Sequence, residues 1–212
     1  EETNKEFDEY LTVLSKCDDY TKIYYFLEII SKEVKSSQKI EKHYVKNKDI
    51  LENDCFFTSL QMSHANIKRL HEVATKEKSD YRDNEVRVSA MIGGKEKIYW
   101  YGAKPSDVKP FMDDFIKFYK TKSLSVIDSN PFLKSALAHL LFVRIHPFSD
   151  GNGRTARMIH NMKFTESINN IYGMKLKLCP LNLSQNILLN QFTYVNRIDD
   201  IYFDLEHDSN HE

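Results

Sequence analysis

The stretch His146-Pro147-Phe148-Ser149-Asp150-Gly151-Asn152-Gly153-Arg154-Thr155-Ala156-Arg157 gathers an imidazole, a carboxylate, two glycines and two guanidinium groups. An imidazole with an ordinary pKa of about 6.5 accepts a proton from an incoming hydroxyl at neutral pH, help worth about 10² to 10⁴ in rate. Met158, Ile159, Met162 and Phe164 follow at helical spacing. Gly151 and Gly153 let the backbone turn tightly in front of that helix and approach a ligand without a Cβ. The first amides of the helix then point outward, unpaired and partly positive. Such a turn is an anion cradle. Arg154 and Arg157 fall on nearly one face of the helix, and their planar forks match the outer phosphates of a nucleotide. Asp150, just before the cradle, offers a hard oxygen for a Mg²⁺ that bridges two phosphates. Phe148 is expected to point inward and anchor the loop.

Other readings of these residue types fare less well. As a calcium loop, Asp150 and Asn152 would fill the first and third ligand positions, but Arg154, Thr155 and Asn161 then stand where a ligand, glycine and glutamate are needed. His71-Glu72 lacks the second histidine of a zinc protease helix, and Gly93-Gly94-Lys95 lacks the spacing of a phosphate loop. A plain surface turn is compatible with Asp-Gly-Asn-Gly alone. It leaves unexplained the histidine before the turn and the two aligned arginines after it.

Helices must do most of the positioning. Only 6 glycines and 5 prolines interrupt 212 residues, and apolar residues mostly recur at three- and four-residue spacing, so the fold is expected to be mainly α. Phe7, Tyr10, Leu11 and Leu14 make one stripe. Tyr20, Ile23, Tyr24, Leu27, Ile30 and Val34 make a longer one, so residues 4 to 45 read as two or three amphipathic helices packed through those stripes. In residues 85 to 101, Val86, Val88, Ala90 and Ile92 alternate with polar residues before Gly93-Gly94, which predicts an isolated β-hairpin with positive φ at both turn residues. Lys104-Pro105-Ser106-Asp107 starts a helix buried through Val108, Met112, Phe115, Phe118 and Tyr119. Pro131 to Ile145 is the least polar helix, opened by proline, and is expected to be central. Leu181, Leu183, Ile187, Leu188 and Phe192 are expected in the core.

Bulk properties exclude several classes. A net charge of -1 argues against sequence-independent attraction to nucleic acid or to an anionic membrane, and no apolar run approaches the roughly 20 residues of a membrane span. The polar, acidic start from Glu1 to Glu6 lacks the marks of a secretory signal, so a cytoplasmic address is expected. Cys17, Cys55 and Cys179 are scattered and odd in number, which suggests neither a disulfide framework nor a metal set.

At every fixed position, His146, Phe148, Asp150, Gly151, Asn152, Gly153, Arg154 and Arg157 match the pattern H-x-F-x-[DE]-G-N-G-R-x-x-R, which resembles the motif of the Fic family. Leu70-His71, Tyr81-Arg82, Val86 and Trp100-Tyr101-Gly102 with Pro105, Val108 and Met112 extend the resemblance over roughly residues 60 to 165. It implies a Fic-type helical bundle with a small β-hairpin flap, and transfer of AMP from Mg-ATP to a Ser, Thr or Tyr hydroxyl of a protein. His146 would be the base and Asp150 the Mg²⁺ ligand. Gly151, Asn152 and Gly153 would surround the α-phosphate, with Arg154 and Arg157 on the outer phosphates and Asn196 facing the nucleoside. Ile98, Tyr99 and Trp100 of the flap would clamp the target by strand addition. The chain itself is expected among the targets, and a homo-oligomer is compatible with this reading. Residues 1–58 would be an N-terminal helical extension and 59–212 the catalytic core.

Many Fic proteins resemble one another in an inhibitory helix, [ST]-x-x-x-E-[GN], whose glutamate pairs with the second arginine of the motif. Ser37-Gln38-Lys39-Ile40-Glu41 fits its first five positions and departs at Lys42. Glu52-Asn53 has the right ending but Lys48 where Ser or Thr belongs. Glu41 is favoured over Glu52. Transfer of phosphate or phosphocholine, a nucleotide-binding module without turnover, and the reverse removal of AMP remain as alternatives.

Overall fold

The computed structural model describes residues 2–41, 60–121, 127, 129–176 and 179–208, and within them eight helices and one two-stranded antiparallel sheet. In chain order these are α1 (Glu2–Lys16), α2 (Asp19–Ile40), α3 (His64–Thr75), β1 (Arg87–Ile92), β2 (Lys95–Tyr101), α4 (Pro105–Lys120), α5 (Pro131–Ile145), α6 (Asn152–Tyr172), α7 (Leu183–Leu189) and α8 (Gln191–Asp208). Local chemistry sets the boundaries. Asp18 accepts from Thr21 N at 2.7 Å to cap α2, and Asn130 accepts from Phe132 N and Leu133 N at 3.0 Å to cap α5, with Pro131 at its first position. Gly93 and Gly94 take φ of 57° and 77°, as a tight hairpin turn with two left-handed residues requires.

Around α6 the other elements assemble. It packs chiefly on α5 and also on α3, and its buried residues run nearly around the helix, from Asn152 to Ile168. The centre of the bundle is thus α6 rather than the less polar α5. Polarity misleads here because most of the buried polar side chains of α6 find partners: Thr155 Oγ1 donates to Gly151 O at 2.9 Å, and Lys163 Nζ donates to Tyr119 O at 2.8 Å. Ile67, Leu70, Met112, Phe115, Phe142 and Phe148 form the main core with Ala156 and Ile159. At the other end of α6, Phe164 and Ile168 receive Phe7 and Leu11 of α1.

The orientation of α2 departs from its apolar stripe. Tyr20, Tyr24 and Leu27 face outward, Tyr20 with 82% of its surface exposed, while Phe26, Ile30, Glu33 and Ser36 are buried. Polar bonds fix this orientation. Glu33 accepts from Ser184 N at 2.8 Å, from Ser184 Oγ at 2.5 Å and from Asn161 Nδ2 at 3.1 Å, which ties α2 to α7 and α6. Phe192, expected in the core, is exposed at the start of α8, whereas Ile187 is buried. No helix among the described residues is long and apolar enough to cross a membrane.

Two buried imidazoles bind the core to pH. His139 bonds Tyr194 Oη at 2.6 Å, and burial holds its pKa down to about 3; burial holds His160, stacked on Phe164, down to about 4. Unfolded histidine takes up protons below pH of about 6.5 while these two do not, so stability is complete above that value. It is lost as pH falls toward the folded values, by about 2 kcal/mol per imidazole at pH 5. The urea midpoint of the chain is therefore expected to fall between pH 7 and pH 5, and less steeply in His160→Gln; an equal slope in the variant would contradict this origin.

Candidate active site

His146 terminates α5 in the left-handed region, φ 53° and ψ 59°, where its N–H still donates to Phe142 O at 3.0 Å. Its Nδ1 lies 3.1 Å from Val143 O. A carbonyl only accepts, so Nδ1 carries the hydrogen and Nε2 keeps the lone pair. The ring thereby caps one of the carbonyls that a helix end leaves open. Burial lowers the pKa of the imidazole below its ordinary value, and the nearby Arg82 cation pushes the same way against the Val143 bond, Glu41 and Asp150. At neutral pH the ring is an unprotonated base.

From there the chain turns sharply through a loop that is closed on itself. Asn152 Oδ1 accepts from Phe148 N at 2.9 Å and its Nδ2 donates to Phe148 O at 2.7 Å. The Asn152 side chain is thus consumed by the loop, which leaves only its backbone for a ligand. Phe148 is fully buried and stacks on His71 with ring centroids 3.9 Å apart. His71 Nε2 donates to Asp150 O at 2.9 Å and its Nδ1 accepts from Ser79 Oγ at 2.9 Å. Gly151 caps α6 with φ 76°, and a Cβ there would strike Thr75 Cγ2 and come within 2.9 Å of His71 Nε2. Gly151 has no side chain to cap α6, so the first amides of the helix remain open to an anion. Gly153, expected in the turn, lies inside the first turn of α6, where a Cβ would stand 2.5 Å from Glu41 Oε1. Close approach, rather than a turn, calls for glycine there.

The two arginines of α6 do not converge. Arg154 Nη2 donates to Asp150 Oδ2 at 2.9 Å and its Nη1 to Ala74 O at 3.4 Å, while its buried Nε has no acceptor. The Asp150 side chain is 76% exposed. Arg157 turns instead to α2: Nη2 donates to Glu41 Oε1 at 2.9 Å and to Ser37 O at 3.1 Å, and Nε donates to Ser37 Oγ at 2.9 Å. Ser37 and Glu41, four residues apart, thus grip one guanidinium that is itself buried. Lys42, Lys48, Glu52 and Asn53 lie outside the described residues, as does Cys55.

The hairpin presents fewer side chains than its sequence suggests. A register shift between Val88 and Ser89 leaves Tyr99 without a partner in the ladder, and Trp100 is buried in the main core under Arg144. Trp100 therefore cannot clamp a target; Ile98 is exposed and Tyr99 half-buried. Asn196 is half-buried on α8, but the residue of that helix reaching toward the site is Tyr194, which feels the charges of Arg157 and Glu41. Arg82 escaped identification by residue type because its partners are main-chain carbonyls, and His71 and Tyr194 because theirs are distant in sequence, Asp150 O for His71 and the His139 ring for Tyr194; only their family spacing marks Arg82 and His71. A separate apolar groove of about 660 Å³ between the end of β2, α4 and α5 contains none of the motif's polar side chains.

Comparison with known proteins agrees with this geometry. The profile of the Fic/DOC family matches residues 61–163. Protein adenylyltransferase Fic of Drosophila erecta is 34% identical over 85 residues, which is 40% of this chain and 15% of that protein. Protein adenylyltransferase fic-1 of Caenorhabditis elegans is 40% identical over 58 residues, 27% of this chain and 11% of that protein. The chain thus aligns with only a small part of the length of these relatives. A Fic family protein from Desulfovibrio desulfuricans has the same fold with a TM-score of 0.61 at 17% identity, over 81% of this chain and 56% of that one. A Fic-domain signaling protein from Bacteroides thetaiotaomicron gives a TM-score of 0.58 at 16% identity over 92% of each chain. By its motif and its match to the family profile, residues 61–163 of the chain are a domain of the Fic/DOC family.

Proposed function

We propose that this chain is a protein adenylyltransferase, transferring AMP from ATP to a hydroxyl of a target protein, itself included, and that α2 restrains it. The observation that carries this reading is the unprotonated Nε2 of His146 beside the uncapped start of α6: a base next to an anion cradle. In the reaction, the target hydroxyl oxygen bonds the α-phosphorus as the bond to the β-phosphate oxygen breaks. Pyrophosphate leaves, and the hydroxyl proton passes to His146 Nε2. The amides of Asn152 and Gly153 face the α-phosphate, where one preorganised donor is worth about 3 kcal/mol in the transition state. Arg154 and Arg157 take the outer phosphates, and the orphaned Arg154 Nε is a donor for one of their oxygens. Asn196 is assigned to the nucleoside side.

Asp150 fits a magnesium ion, since its carboxylate is exposed and gives one oxygen, Oδ2, to Arg154 while Oδ1 can take a metal. Mg²⁺ favours such sites, taking one or two carboxylates and filling its shell with phosphate and water, and it would neutralise phosphate charge there. The target segment adds to the hairpin edge past Ile98 and Tyr99. In this reading residues 1–58 form the regulatory extension and 59–212 the catalytic unit.

Restraint follows from competition for one cation. A carboxylate on Arg157 denies that fork to the γ-phosphate, and ATP settles in an orientation that misaligns the bond to be broken. Glu41→Gly is expected to raise modification of the chain and of targets roughly 10- to 100-fold; unchanged transfer would reject the restraint but not the enzyme. Incubation with ATP labelled on the α-phosphate or on the γ-phosphate tests the activity itself. Label is expected on protein from the α position only, and lost in His146→Ala at unchanged helical content. Label from γ alone would make it a kinase, and label from neither a binding module.

A further inference from the structure

Behind the base sits a buried cation that forms no salt bridge among the described residues. Arg82 retains only 6% of its surface, and its guanidinium donates to four main-chain carbonyls: Nε to His146 O at 2.7 Å, Nη1 to Asn84 O at 2.6 Å, and Nη2 to Ala103 O at 2.5 Å and Ile145 O at 3.3 Å. Its own amide donates to Pro147 O at 2.9 Å. Three pieces of chain meet on this side chain: the last residues of α5 with the turn after them, the segment leaving β2, and the segment entering β1. Ala103 N donates to Ile145 O at 3.2 Å across the same junction, and Gly102 N to Val86 O at 3.1 Å.

Geometry explains why a cation is placed there. The carbonyls that end α5 are short of intrahelical donors and carry its partial negative charge, which a guanidinium satisfies by fork and by charge together. His146 adopts a left-handed backbone, a conformation unfavourable to a residue with a Cβ. Such a conformation persists only where its surroundings hold it. Arg82 binds the carbonyls on both peptide units that set that conformation. Gly102 keeps the space open, because a Cβ there would lie 2.7 Å from Arg82 Nη2 and 3.0 Å from His146 Cβ.

We infer that Arg82 is the positioning residue of the catalytic base, fixing the turn that aims His146 and joining the hairpin that receives the target to the helix that carries the base. The inference rests on the proposed role of His146, and it implies that a peptide seated along β2 acts on the base through Ala103 and Arg82. Arg82 touches no reacting atom. Its loss should therefore lower kcat rather than ATP affinity. The charged groups facing the imidazole are Arg82, Glu41 and Asp150, with Val143 O on its Nδ1, so removing the arginine alone leaves only groups that favour the protonated ring.

The test uses Arg82→Lys, Arg82→Gln and Gly102→Ala, each in the Glu41→Gly chain, with transfer from α-labelled ATP, ATP affinity by calorimetry and the His146 ring titration by NMR. Lysine keeps the charge but cannot bridge four carbonyls, and alanine at 102 leaves the arginine chemically intact but displaces it. All three are expected to lose about 10²-fold in kcat, the scale of a misplacement of about 1 Å, at ATP affinity within about threefold. In Arg82→Gln the His146 titration and the acid limb of the rate profile should both move to higher pH. Unchanged kcat with an unmoved titration overturns the inference, as does an equal loss of kcat and ATP affinity that tracks a collapse in thermal midpoint. If the Glu41→Gly parent transfers no label, the activity reading fails separately, and the titration of His146 with and without Arg82 then decides.

Discussion

A guanidinium buried in a protein must find acceptors for its donors, whether carbonyl oxygens or an opposite charge, because an uncompensated ion away from water is far costlier than a compensated one. Arg157 is in that position. It lies on α6, the helix around which the bundle is built, with 2% of its surface exposed, and the carboxylate paired with it comes from Glu41 on another element. Two kinds of anion fit that fork equally well by shape, a carboxylate and a terminal phosphate. In the proposed reading α2 and a nucleotide compete for that one cation, and this competition is the regulation. It needs no rearrangement of the catalytic loop.

That loop is built to stay still. Asn152 closes it by two bonds to Phe148, Phe148 stacks on His71, and His71 holds Asp150 O while Gly151 leaves room for the ring. A base and an anion cradle can cooperate only if their separation is fixed, since effective concentration depends on alignment. The residues that fix it lie largely on α3 and the segment after it. Over the first turn of α6 lies the Glu41 carboxylate from the end of α2. Upstream on the same helix, Glu33 is buried among donors from α6 and α7, so only the last turn of α2 would have to yield to a phosphate.

Much of this architecture was legible in the residues. Pro131 announced the start of α5, the paired glycines announced the hairpin turn, and the motif from His146 to Arg157 announced a loop between two helices. Reading failed where polarity and burial part company. Tyr20, Tyr24 and Leu27 look like the buried face of α2, but Glu33 and Ser37 hold the opposite face inward through bonds to distant residues. Trp100 resembles an aromatic clamp, but the register shift in the hairpin turns it into the core. Gly153 looked like a turn residue and instead makes room for a carboxylate. Arg82 and His71 serve main-chain carbonyls, which leave no signature in sequence because every residue carries one.

The account turns on whether the γ-phosphate and Glu41 exclude one another at Arg157, and calorimetric titration with ATP and with ADP measures that directly. In the parent chain the two nucleotides should bind within about threefold of each other, because the outer fork is taken; in Glu41→Gly, ATP should gain over ADP by roughly tenfold or more. The same ATP-to-ADP ratio in both proteins would show that Arg157 is not the shared partner, and the central claim would fail.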